Sequence, residues 1–453
     1  MMTKEKEMAE QIAKAVAKQG GRAYFVGGFV RDALLGRENT DIDMEVHGVS
    51  SQTLEAILDE LGERITVGAS FGIYGLKGIS LDIAMPRKEH TFGKGHRDLS
   101  VVVDPFAGVE KAASRRDLTI NGMMMDILTG ELIDPFHGEE DLKNGVIRHI
   151  NDKTFAEDPL RVLRAAKFSA RLGFPIAEET VSLCKTVDLG ALPKERVAGE
   201  LFDVLLHGER PSLFFEALRS MEQLDLWFPE IKALLGVEQN PVHHGEGDVW
   251  DHTMLALDHA AAVRERAEYP LGFMLVALTH DLGKAVCSQK INGVIHAYEH
   301  EIKGLPLAEA FLRRLTDESK LLRYVLEMNR SHMKPNVAAA ALSSVKATNH
   351  MFDSVSFPRD LILFSDVDQR SSLSEAPLVS HLPFLEERLK IYEVTMAKPF
   401  VMGRDLMEAG LSPDGSFGEL LDYAHKLRLA GVEKDAALKQ ILALARKRQK
   451  NKK

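Results

Sequence analysis

Two carboxylates separated by one residue, Asp41 and Asp43, have the spacing in this sequence that most directly suggests chemistry. They lie in the run GGFVRDALLGRENTDIDMEV, residues 27–46. Because positions i and i+2 of a β-strand share a face, both carboxylates would project together. The opposite face of that strand would be apolar, formed by Ile42, Met44 and Val46. Hard cations prefer oxygen ligands together with substrate phosphates, so the pair predicts a seat for one or two Mg²⁺ ions.

The glycine pair ahead of these carboxylates, Gly27 and Gly28, predicts a phosphate-binding turn. Glycine lets the backbone approach a polyphosphate, and a helix indicated by Val30, Leu34 and Leu35 would direct its first amides at that charge. A hairpin with a solvated acidic face, or a simple glycine turn, would explain either feature alone. Their joint occurrence in the order strand, glycine turn, helix, strand favours a nucleotide site held by metal.

Charged residues later in the same region fit the same chemistry. In SRRDLTIN, Arg115 and Arg116 precede Asp117. Guanidinium groups bind phosphate oxygens bidentately, although an exposed ion-pair cluster would have the same sequence. Asp82 in ISLDIAM alternates with apolar neighbours, so it is either a third metal ligand or a buried acid at a strand end. Residues 88–100, rich in Gly, Lys and His, predict a mobile loop that closes over substrate.

Asp158 and Arg161 suggest how a base is selected. Asp158 would cap a helix that starts at Pro159, which needs no functional explanation. If residues 158 and 161 share a helix face, the carboxylate accepts and the guanidinium donates. This pattern matches the amino donor and ring-nitrogen acceptor of cytosine and adenine, whereas uracil and guanine present the reverse. The pair predicts a protein template for CTP and ATP, and capping is compatible with it if Asp158 uses different oxygens.

The composition restricts the remaining classes of function. The 453 residues, 45% hydrophobic and 27% charged, are typical of a soluble protein of several domains. Cys184 and Cys287 lie outside any CxxC pattern, which argues against disulfides and cysteine-bound zinc and fits a cytoplasmic location. The N-terminal helix lacks a signal core, and no stretch approaches the length of a membrane span. The net charge of -10 leaves RNA binding to local basic clusters, such as residues 446–453 unless these are only a solvated terminus.

Hydrophobic periodicity divides the chain into a mixed head and a helical body. Residues from 22 to about 150 alternate strand-like runs with helical ones. After Pro159 apolar residues recur at i, i+3 and i+4, and strand runs are absent. We therefore predict an α+β fold, a small sheet with helices followed by an all-α neck, body and tail. Clusters of Pro, Gly and polar residues mark further seams near 236–249 and 396–403.

Together these motifs resemble those of the class II tRNA nucleotidyltransferases, the CCA-adding enzymes of the polymerase-β-like superfamily. GGFVRDALLG with TDID resembles the catalytic motif, SRRDLTIN the phosphate and ribose motif, and EDPLRVLR the base-templating motif. IDPFHGEEDLKNGVIRHI resembles the connecting motif and LPKERVAGELFDVLL the neck helices. The tail segment PFVMGRDLMEAGLSPDGSFGELL is similar to one common in the wider polymerase family. The resemblance covers most of the chain.

The resemblance implies a role for each matching residue. We predict Asp41, Asp43 and Asp82 as catalytic residues, and by the resemblance Asp41 and Asp43 hold Mg²⁺. The nucleotide-binding set is Gly27, Gly28, Arg31, Arg115, Arg116, Asp117, Asn121, Asp158, Arg161 and Arg164. The implied reaction is attack of an RNA 3′-hydroxyl on the α-phosphate of CTP or ATP, with pyrophosphate leaving. The implied partner is tRNA, and neither a membrane nor a protein partner is expected.

A second constellation follows the H…HD…D order of the HD phosphohydrolases. It consists of His252, the His280-Asp281 pair in ALTHDLGK and an acid in FSDVDQR. For that acid we choose Asp366, which follows a small residue, over Asp368. The helical bundle of that family gathers four such ligands around a divalent metal, and imidazole with carboxylate suits transition metals as well as magnesium. Two further histidines would complete the shell or bind phosphate, namely His300 and His332.

Some CCA-adding enzymes resemble this chain in carrying such a domain, which implies an auxiliary metal-dependent phosphatase and 2′,3′-cyclic phosphodiesterase. Additional histidines, His243, His244 and His259, depart from the plain pattern. The predicted domains are a nucleotidyltransferase head at 1–150, a helical neck and body with the templating motif at 151–238, an HD domain at 239–395 and a tail at 396–453. The motifs leave open a bacterial poly(A) polymerase, an enzyme adding only CC or only A, and an HD phosphohydrolase with a vestigial RNA-binding head.

Overall fold

The computed structural model describes residues 3–68, 72–91, 99–242, 244–374, 379–413 and 417–451. The chain divides into two compact units, unit 1 (Met1–Leu226) and unit 2 (Trp227–Lys453). Three parts of the sequence-based predictions lie outside the described residues: His243, the centre of the predicted loop at 92–98, and the last two residues of the basic tail. The three boundaries between the four predicted domains stay predictions.

Unit 1 combines a sheet with helices. Its described strands are β1 (Arg22–Val26), β2 (Ile42–His47), β3 (Arg64–Gly68), β4 (Ile73–Leu76), β5 (Ile79–Ala84), β6 (Arg87–Thr91), β7 (Leu99–Val103), β8 (Met124–Asp126) and β9 (Leu132–Ile133). Its described helices are α1 (Lys4–Lys18), α2 (Gly28–Leu34), α3 (Ser51–Leu61), α4 (Val109–Ala113), α5 (Thr119–Gly122), α6 (Gly138–Asn144), α7 (Asp152–Glu157), α8 (Leu160–Leu172), α9 (Glu178–Cys184), α10 (Lys194–His207) and α11 (Ser212–Ser220).

Seven strands form one sheet in the order β3-β4-β5-β2-β1-β8-β9, and β6 pairs with β7 in a separate antiparallel ribbon. β2 lies between β1, to which it is antiparallel, and β5, to which it is parallel. The parallel register places Asp43 directly beside Asp82. The predicted loop at 88–100 is therefore wrong at both ends, because its first and last described residues are paired in β6 and β7.

The core of unit 1 fixes which face of β2 is buried. Ile42, Met44 and Val46 are at most 2% exposed and pack against the apolar faces of α1 and α3. Burying each such side chain stabilises the fold by about 1.5–3 kcal/mol. A slip of one residue would exchange these side chains with the acidic ones, so the register of β2 is strongly specified.

Unit 2 is helical except for one short ribbon. Its described helices are α12 (Pro229–Lys232), α13 (Val249–Val263), α14 (Pro270–Thr279), α15 (Lys284–Cys287), α16 (His300–Lys303), α17 (Leu305–Leu315), α18 (Ser319–Ser331), α19 (Met333–Ala340), α20 (Val345–Asp353), α21 (Pro358–Ser371), α22 (Leu382–Ala397), α23 (Gly403–Glu408), α24 (Phe417–Leu429) and α25 (Lys434–Asn451). The strands β10 (Gln289–Ile291) and β11 (Val294–His296) form an antiparallel pair. The expectation that strands are absent after residue 159 is therefore wrong, since three-residue strands carry too little periodicity to be recognised.

Helix α14 organises the bundle of unit 2. It is apolar around its whole circumference, and every residue from 272 to 279 is buried. A helix of this kind must be surrounded, and α13, α18 and α21 pack against it. It ends immediately before His280 and Asp281, so those polar side chains lie at the end of an almost entirely buried helix.

The α+β fold class is confirmed: a mixed sheet with helices in the N-terminal part is followed by a helical body. No helix in the described ranges combines the length and the apolar character that crossing a membrane requires.

The turn that follows His280-Asp281 depends on a glycine, which gives a test of this packing. A Cβ at Gly283 would lie 2.0 Å from the His300 carbonyl oxygen and 2.7 Å from the Gly304 nitrogen. We expect Gly283→Ala to lower the free energy of unfolding by about 1–3 kcal/mol, because both obstacles are backbone atoms. Thermal unfolding followed by circular dichroism measures the loss. Gly418→Ala in α24, where nothing lies within 4 Å, is the matched control, and an equal effect in both variants would contradict the packing argument.

Candidate active sites

A glycine turn connects β1 to α2 beside the acidic strand. Gly27 has φ 66°, a backbone conformation that other residues rarely adopt, and α2 begins at the next residue. A Cβ at Gly27 would lie 3.2 Å from Arg116 Nη1 and 3.7 Å from Asp43 Oδ2. The turn therefore faces both the acidic strand and the arginine motif, and the predicted order of strand, glycine turn, helix and strand is confirmed.

Three acidic residues gather at one end of β2 and β5. Asp41 is exposed, Asp43 is half-buried, and Asp82 is exposed at the paired position of β5. Burial and the neighbouring charges of Asp41 and Asp82 raise the pKa of Asp43 to about 6, although Arg116 opposes this. Neighbouring carboxylates repel one another unless a cation compensates their charge, so these three acids have the chemistry of a cation site.

Glu45 is a third acid on the same face of β2 that sequence reasoning missed. Its Oε2 accepts from Arg116 Nη2 at 3.2 Å and its Oε1 lies 2.7 Å from His47 Nε2. Burial opposes ionisation, but these two partners hold the pKa of Glu45 below its usual value. The alternation that identified Asp41 and Asp43 extends to Glu45, so the same two-residue period would have found it.

A buried hydrogen-bond network connects several of the predicted nucleotide residues. Arg31 donates from Nε to Asp32 at 2.8 Å and from Nη1 to Asn121 at 2.7 Å. Asn121 donates to Asp117, whose other oxygen accepts from Arg164 Nε at 2.6 Å. Burial would raise the pKa of Asp117, but Arg164, Asn121 and a backbone amide lower it below its usual range. Four of the ten predicted nucleotide residues are thus connected before any nucleotide binds.

Asp158 does not lie on a helix with Arg161, contrary to the sequence-based expectation. It stands between α7 and α8 with extended backbone, because proline at 159 disfavours helical geometry in the residue before it. Its Oδ1 accepts from the Leu160 amide at 3.2 Å, so it does cap α8. Its Oδ2 accepts from Arg196 Nη2 at 3.1 Å, a partner on α10 that sequence reasoning missed.

Arg161 is held by backbone carbonyls. Its Nη1 donates to Thr154 at 2.8 Å and its Nη2 to Arg115 at 2.6 Å. One cavity of about 640 Å³ is lined by Asp41, Asp43, Glu45 and all ten predicted nucleotide-binding residues, whereas Asp82 is not among the described residues that line it. Among the described residues that line it are eight arginines: Arg31, Arg87, Arg115, Arg116, Arg161, Arg164, Arg171 and Arg196. The volume suits a nucleotide, and the guanidinium groups suit its phosphates.

The second cluster lies in unit 2. The side chains of His252, His280, Asp281, His300 and His332 are almost completely buried, and they come from four different helices or their ends. Three overlapping groups have ligand atoms close enough to share a cation: His244, Glu246 and His252; His252, His280 and Asp281; and Asp281, His300 and His332. The structure therefore brings three of the four predicted HD residues, His252, His280 and Asp281, together with His300 and His332.

Each central imidazole is oriented through its Nδ1. The acceptors are the carbonyl of Ala277 for His280 at 3.1 Å, that of Ala297 for His300 at 2.9 Å, that of Asn329 for His332 at 2.6 Å, and Glu246 for His252 at 2.8 Å. A carbonyl oxygen can only accept, so Nδ1 of His280, His300 and His332 carries a hydrogen, and in the neutral ring Nε2 keeps its lone pair. This is the arrangement found around metal-binding histidines. Burial would lower the pKa of His252, but the two carboxylates between which it lies, Asp368 and Glu246, raise its pKa to about 9.

The Nε2 atoms converge without enough hydrogens to satisfy them. His300 and His332 approach to 3.2 Å between Nε2 atoms, and buried His280 Nε2 makes no hydrogen bond of suitable geometry to any described residue. Burial and the neighbouring histidines lower the pKa of His332 to about 3, which keeps that ring neutral. Asp281 lies between His300 and His280: its Oδ1 is 3.3 Å from His300 Nε2, and its Oδ2 is 3.3 Å from His280 Nε2. The donor set therefore fits divalent cations.

Asp368, not Asp366, faces the histidines, which corrects the sequence-based choice. Asp368 Oδ1 lies 3.1 Å from His252 Nε2 and 3.6 Å from His280 Nε2. Asp366 instead accepts from Arg370 one turn along the same helix. Residues two apart on a helix are about 200° apart around its axis, so only one can face the cluster. A preceding small residue carries no information about that direction.

Two further residues around the cluster were missed. Glu246 accepts from both His244 and His252 through Oε1 and from the Leu373 amide through Oε2, each at 2.8 Å. Lys284 lies 2.7 Å from Asp281 Oδ2. The cluster opens into a cavity of about 470 Å³ lined also by His244 and His296. Glu246 lies two residues after His244 in HHGEGD, and Lys284 is the lysine of HDLGK. Neither spacing predicted a contact with the cluster.

Comparisons with known proteins relate both halves of the chain to one family. A family model described as the poly A polymerase head domain matches residues 23–148. The multifunctional CCA protein of Alkalilimnicola ehrlichii is 34% identical over 407 residues, which are 86% of this chain and 94% of that protein. The protein of the same name from Haemophilus ducreyi is 36% identical over 316 residues, 68% of this chain and 74% of that protein.

Solved structures share the fold. The Bacillus stearothermophilus CCA-adding enzyme in complex with CTP aligns with a TM-score of 0.67 at 23% identity, covering 99% of this chain and 100% of that one. The Thermotoga maritima CCA-adding enzyme complexed with tRNA aligns with a TM-score of 0.64 at 21% identity, covering 97% and 95% of the two chains.

The raised pKa of Asp43 predicts a pH-dependent stability. Because the folded state holds this proton more tightly than the unfolded chain, the free energy of unfolding of the metal-free protein falls as pH rises from about 4 through 6. Asp43→Asn removes that loss. We expect the variant to gain up to about 1 kcal/mol on the wild type at pH 7.5, after solvent screening, and nothing at pH 4.

Urea unfolding in EDTA at both pH values measures this difference. Glu60→Gln, an equal change of net charge on the exposed face of α3, is the control. If the free energies of unfolding of Asp43→Asn and wild type differ by the same amount at pH 4 and pH 7.5, the raised pKa of Asp43 is contradicted.

Proposed function

Because this chain belongs to the family of multifunctional CCA proteins, whose members are CCA tRNA nucleotidyltransferases, we propose that it completes the 3′ end of tRNA. It adds C, C and A stepwise from CTP and ATP without a nucleic-acid template. The observation that carries this proposal is one cavity whose lining includes the Asp41-Asp43 pair, eight arginines and the Asp158-Arg161 pair. The relatives share the name CCA protein, and structural neighbours hold CTP or tRNA.

Asp41 and Asp43 are the proposed ligands of Mg²⁺, with Asp82 as a third. The raised pKa of Asp43 supports this, since it marks an excess of negative charge that a divalent cation would relieve. When bound, Mg²⁺ polarises the α-phosphate and lowers the pKa of the attacking hydroxyl. The tRNA 3′-oxygen forms a bond to the α-phosphorus, the bond from phosphorus to the β-phosphate oxygen breaks, and the hydroxyl proton goes to solvent. Pyrophosphate leaves on the side of Arg115 and Arg116, whose charges stabilise it.

Asp158 and Arg161 are the proposed base-reading pair. Arg196 fixes the Asp158 carboxylate, and the Thr154 and Arg115 carbonyls fix the Arg161 guanidinium. Both side chains are therefore oriented before a nucleotide enters, which lowers the entropic cost of recognition. An acceptor beside a donor matches cytosine and adenine and leaves unpaired groups against uracil and guanine.

Two alternatives share the chemistry of this cavity: a poly(A) polymerase and an enzyme that adds only CC or only A. The name common to the relatives favours complete CCA addition. The products separate these alternatives directly. A poly(A) polymerase would extend the RNA with ATP alone. An enzyme that adds only CC would stop after the second C, and one that adds only A would require an RNA that already ends in CC.

The cluster in unit 2 supports a second function, metal-dependent phosphohydrolysis of phosphate monoesters and 2′,3′-cyclic phosphates. We propose two cation positions that share Asp281, one with His252, His280 and Asp368 and the other with His300 and His332. His280 Nε2, which makes no hydrogen bond of suitable geometry within the described chain, and the facing Nε2 atoms support this set, and imidazole ligands favour transition metals. When bound, such cations would supply a water of lowered pKa as the nucleophile for phosphate-ester hydrolysis. Lys284 binds the phosphate, and Glu246 keeps His252 oriented.

The two functions predict a double dissociation. Asp41→Asn with Asp43→Asn should lower nucleotide incorporation at least about a hundredfold and spare phosphohydrolysis, because only the first site loses its oxygen ligands. His280→Ala with Asp281→Ala should do the reverse. Radiolabelled CTP and ATP incorporation into tRNA lacking its 3′ end, and phosphate release, measure both activities. Incorporation that survives the first pair of substitutions would overturn the assignment of Asp41 and Asp43. A wild type that releases phosphate but incorporates no nucleotide would identify the head as vestigial.

Asp366 and Asp368 provide a matched pair within this experiment. Asp368→Asn should lower metal-dependent hydrolysis at least about tenfold, because it removes a carboxylate that faces the histidines. Asp366→Asn leaves the cluster intact. Equal losses from both variants would overturn the proposed ligand set.

The base-reading proposal predicts substrate selectivity. The protein should incorporate CTP and ATP and discriminate against UTP and GTP by about a hundredfold or more, since the wrong base leaves buried polar groups unpaired. Asp158→Ala should lower this ratio more than it lowers total incorporation. Incubating tRNA with each nucleotide separately and sequencing the products gives the ratios of correct to incorrect incorporation. Efficient incorporation of UTP or GTP by the wild type would contradict the proposal.

A further inference from the structure

One acid at the cavity of unit 1 takes no part in the proposed reaction. Glu45 lies two residues after Asp43 on β2 and lines the same cavity. Both of its oxygens already have a partner, because Oε2 accepts from Arg116 Nη2 at 3.2 Å and Oε1 lies 2.7 Å from His47 Nε2. A cation would have to displace both partners, so Glu45 differs in kind from the acid before it.

The surroundings of Glu45 hold its carboxylate in one orientation. An ionised carboxylate only accepts hydrogen bonds, so His47 Nε2 is the donor. The His47 side chain is itself buried, and its ring packs edge-on against Tyr24 with the centroids 5.2 Å apart. Tyr24 is the residue opposite Glu45 in the antiparallel pairing of β1 with β2. Because these neighbours belong to the sheet, Glu45 is a fixed acceptor for Arg116.

Arg116 has a second carboxylate within reach. Its Nη1 lies 3.2 Å from the position that a Cβ on Gly27 would take, and Asp43 Oδ2 lies 3.7 Å from the same position. The guanidinium and the Asp43 carboxylate therefore share the small space above the glycine turn. Opposite charges this close attract one another in a partly buried site. Among the described residues, however, the ion pair that Arg116 makes is with Glu45.

An ion pair between Arg116 and Asp43 would disable two groups at once. It would neutralise a proposed Mg²⁺ ligand, and it would occupy the guanidinium at the turn where phosphate is predicted to bind. A competing carboxylate at Glu45 prevents both effects. Arg116 Nε is buried and has no hydrogen-bond partner among the described residues, an arrangement that a bound anion would complete.

We propose that Glu45 is a positioning residue for Arg116: it holds the guanidinium away from Asp43 and leaves it facing the phosphates of the nucleotide. The Asp43 carboxylate is thereby kept for the cation, and the positive charge is kept for the anion. This inference rests on the proposed nucleotidyl transfer, because that function places the phosphates of CTP and ATP on this side of the cavity.

Binding of inorganic pyrophosphate in EDTA, measured by isothermal titration calorimetry, tests this role without metal or catalysis. Removing a negative charge beside an anion site would by itself tighten anion binding. Glu45→Ala should instead weaken pyrophosphate binding about tenfold, because Arg116 then pairs with Asp43 and one charge-assisted hydrogen bond to phosphate is lost. Glu45→Gln keeps an oxygen acceptor and should lose less. Unchanged or tighter binding by Glu45→Ala would overturn the proposal.

The competing carboxylate supplies the matched control. In the background of Asp43→Asn the charge that attracts Arg116 is absent, so adding Glu45→Ala should change the pyrophosphate affinity less than about twofold. A general disturbance of β2 would weaken binding equally in both backgrounds and would refute the proposal. Asp141→Ala removes the buried partner of Arg148, a pair that is not among the described residues lining the cavity, and should leave the affinity unchanged.

Incorporation of CTP and ATP into tRNA lacking its 3′ end separates failure of this role from failure of the proposed function. If the wild type incorporates neither nucleotide but Asp43→Asn cancels the loss caused by Glu45→Ala, the positioning role stands and the proposed function fails. If the wild type adds C, C and A but that loss is the same with and without Asp43→Asn, the function stands and the positioning role is refuted. A wild type that binds no pyrophosphate in EDTA would refute the positioning role as well.

Discussion

The two-residue alternation of β2 is the constraint on which the catalytic end of unit 1 depends. Ile42, Met44 and Val46 are held in the core, so the intervening residues must face the cavity. A one-residue slip would bury carboxylates and expose apolar side chains, which no local adjustment could offset. The hydrophobic effect thereby imposes a concentration of negative charge that the protein would not otherwise tolerate. The raised pKa of Asp43 is the electrostatic result.

Both sites use hydrogen bonds to orient groups that would otherwise be mobile. In unit 1, Arg196 holds Asp158 and backbone carbonyls hold Arg161. In unit 2, carbonyls and Glu246 hold the Nδ1 atoms of the histidines, so the Nε2 atoms converge. Folding therefore fixes these orientations before the substrate binds. Binding can then be selective without a large entropic penalty.

The two sites differ in the atoms they present. The first offers carboxylate oxygens and arginines, which suit magnesium and the phosphates of a nucleotide. The second offers imidazole nitrogens around the shared carboxylate of Asp281, which suits softer transition metals. One chain can therefore carry two kinds of phosphate chemistry without the same metal serving both.

Local periodicity was enough to predict the α+β division, the Gly27 turn and the shared face of Asp41 and Asp43, because each depends on residues a few positions apart. The same alternation would have identified Glu45. Very short elements escaped, since β10 and β11 have three residues each and the chain at 88–100 lacks a clear apolar pattern.

Contacts between distant segments could be decided only by the tertiary structure. The helical period placed Asp366 and Asp368 on different faces, but which face meets His252 depends on how α21 packs beside α13. Arg196 reaches Asp158 across 38 positions, and Glu246 binds the amide of Leu373 across 127. The sequence by itself determined which chemical groups this protein carries and the local faces they share. Their partners, and hence their charge states and orientations, were decided by packing, because burial and proximity belong to the folded chain and not to its spacing.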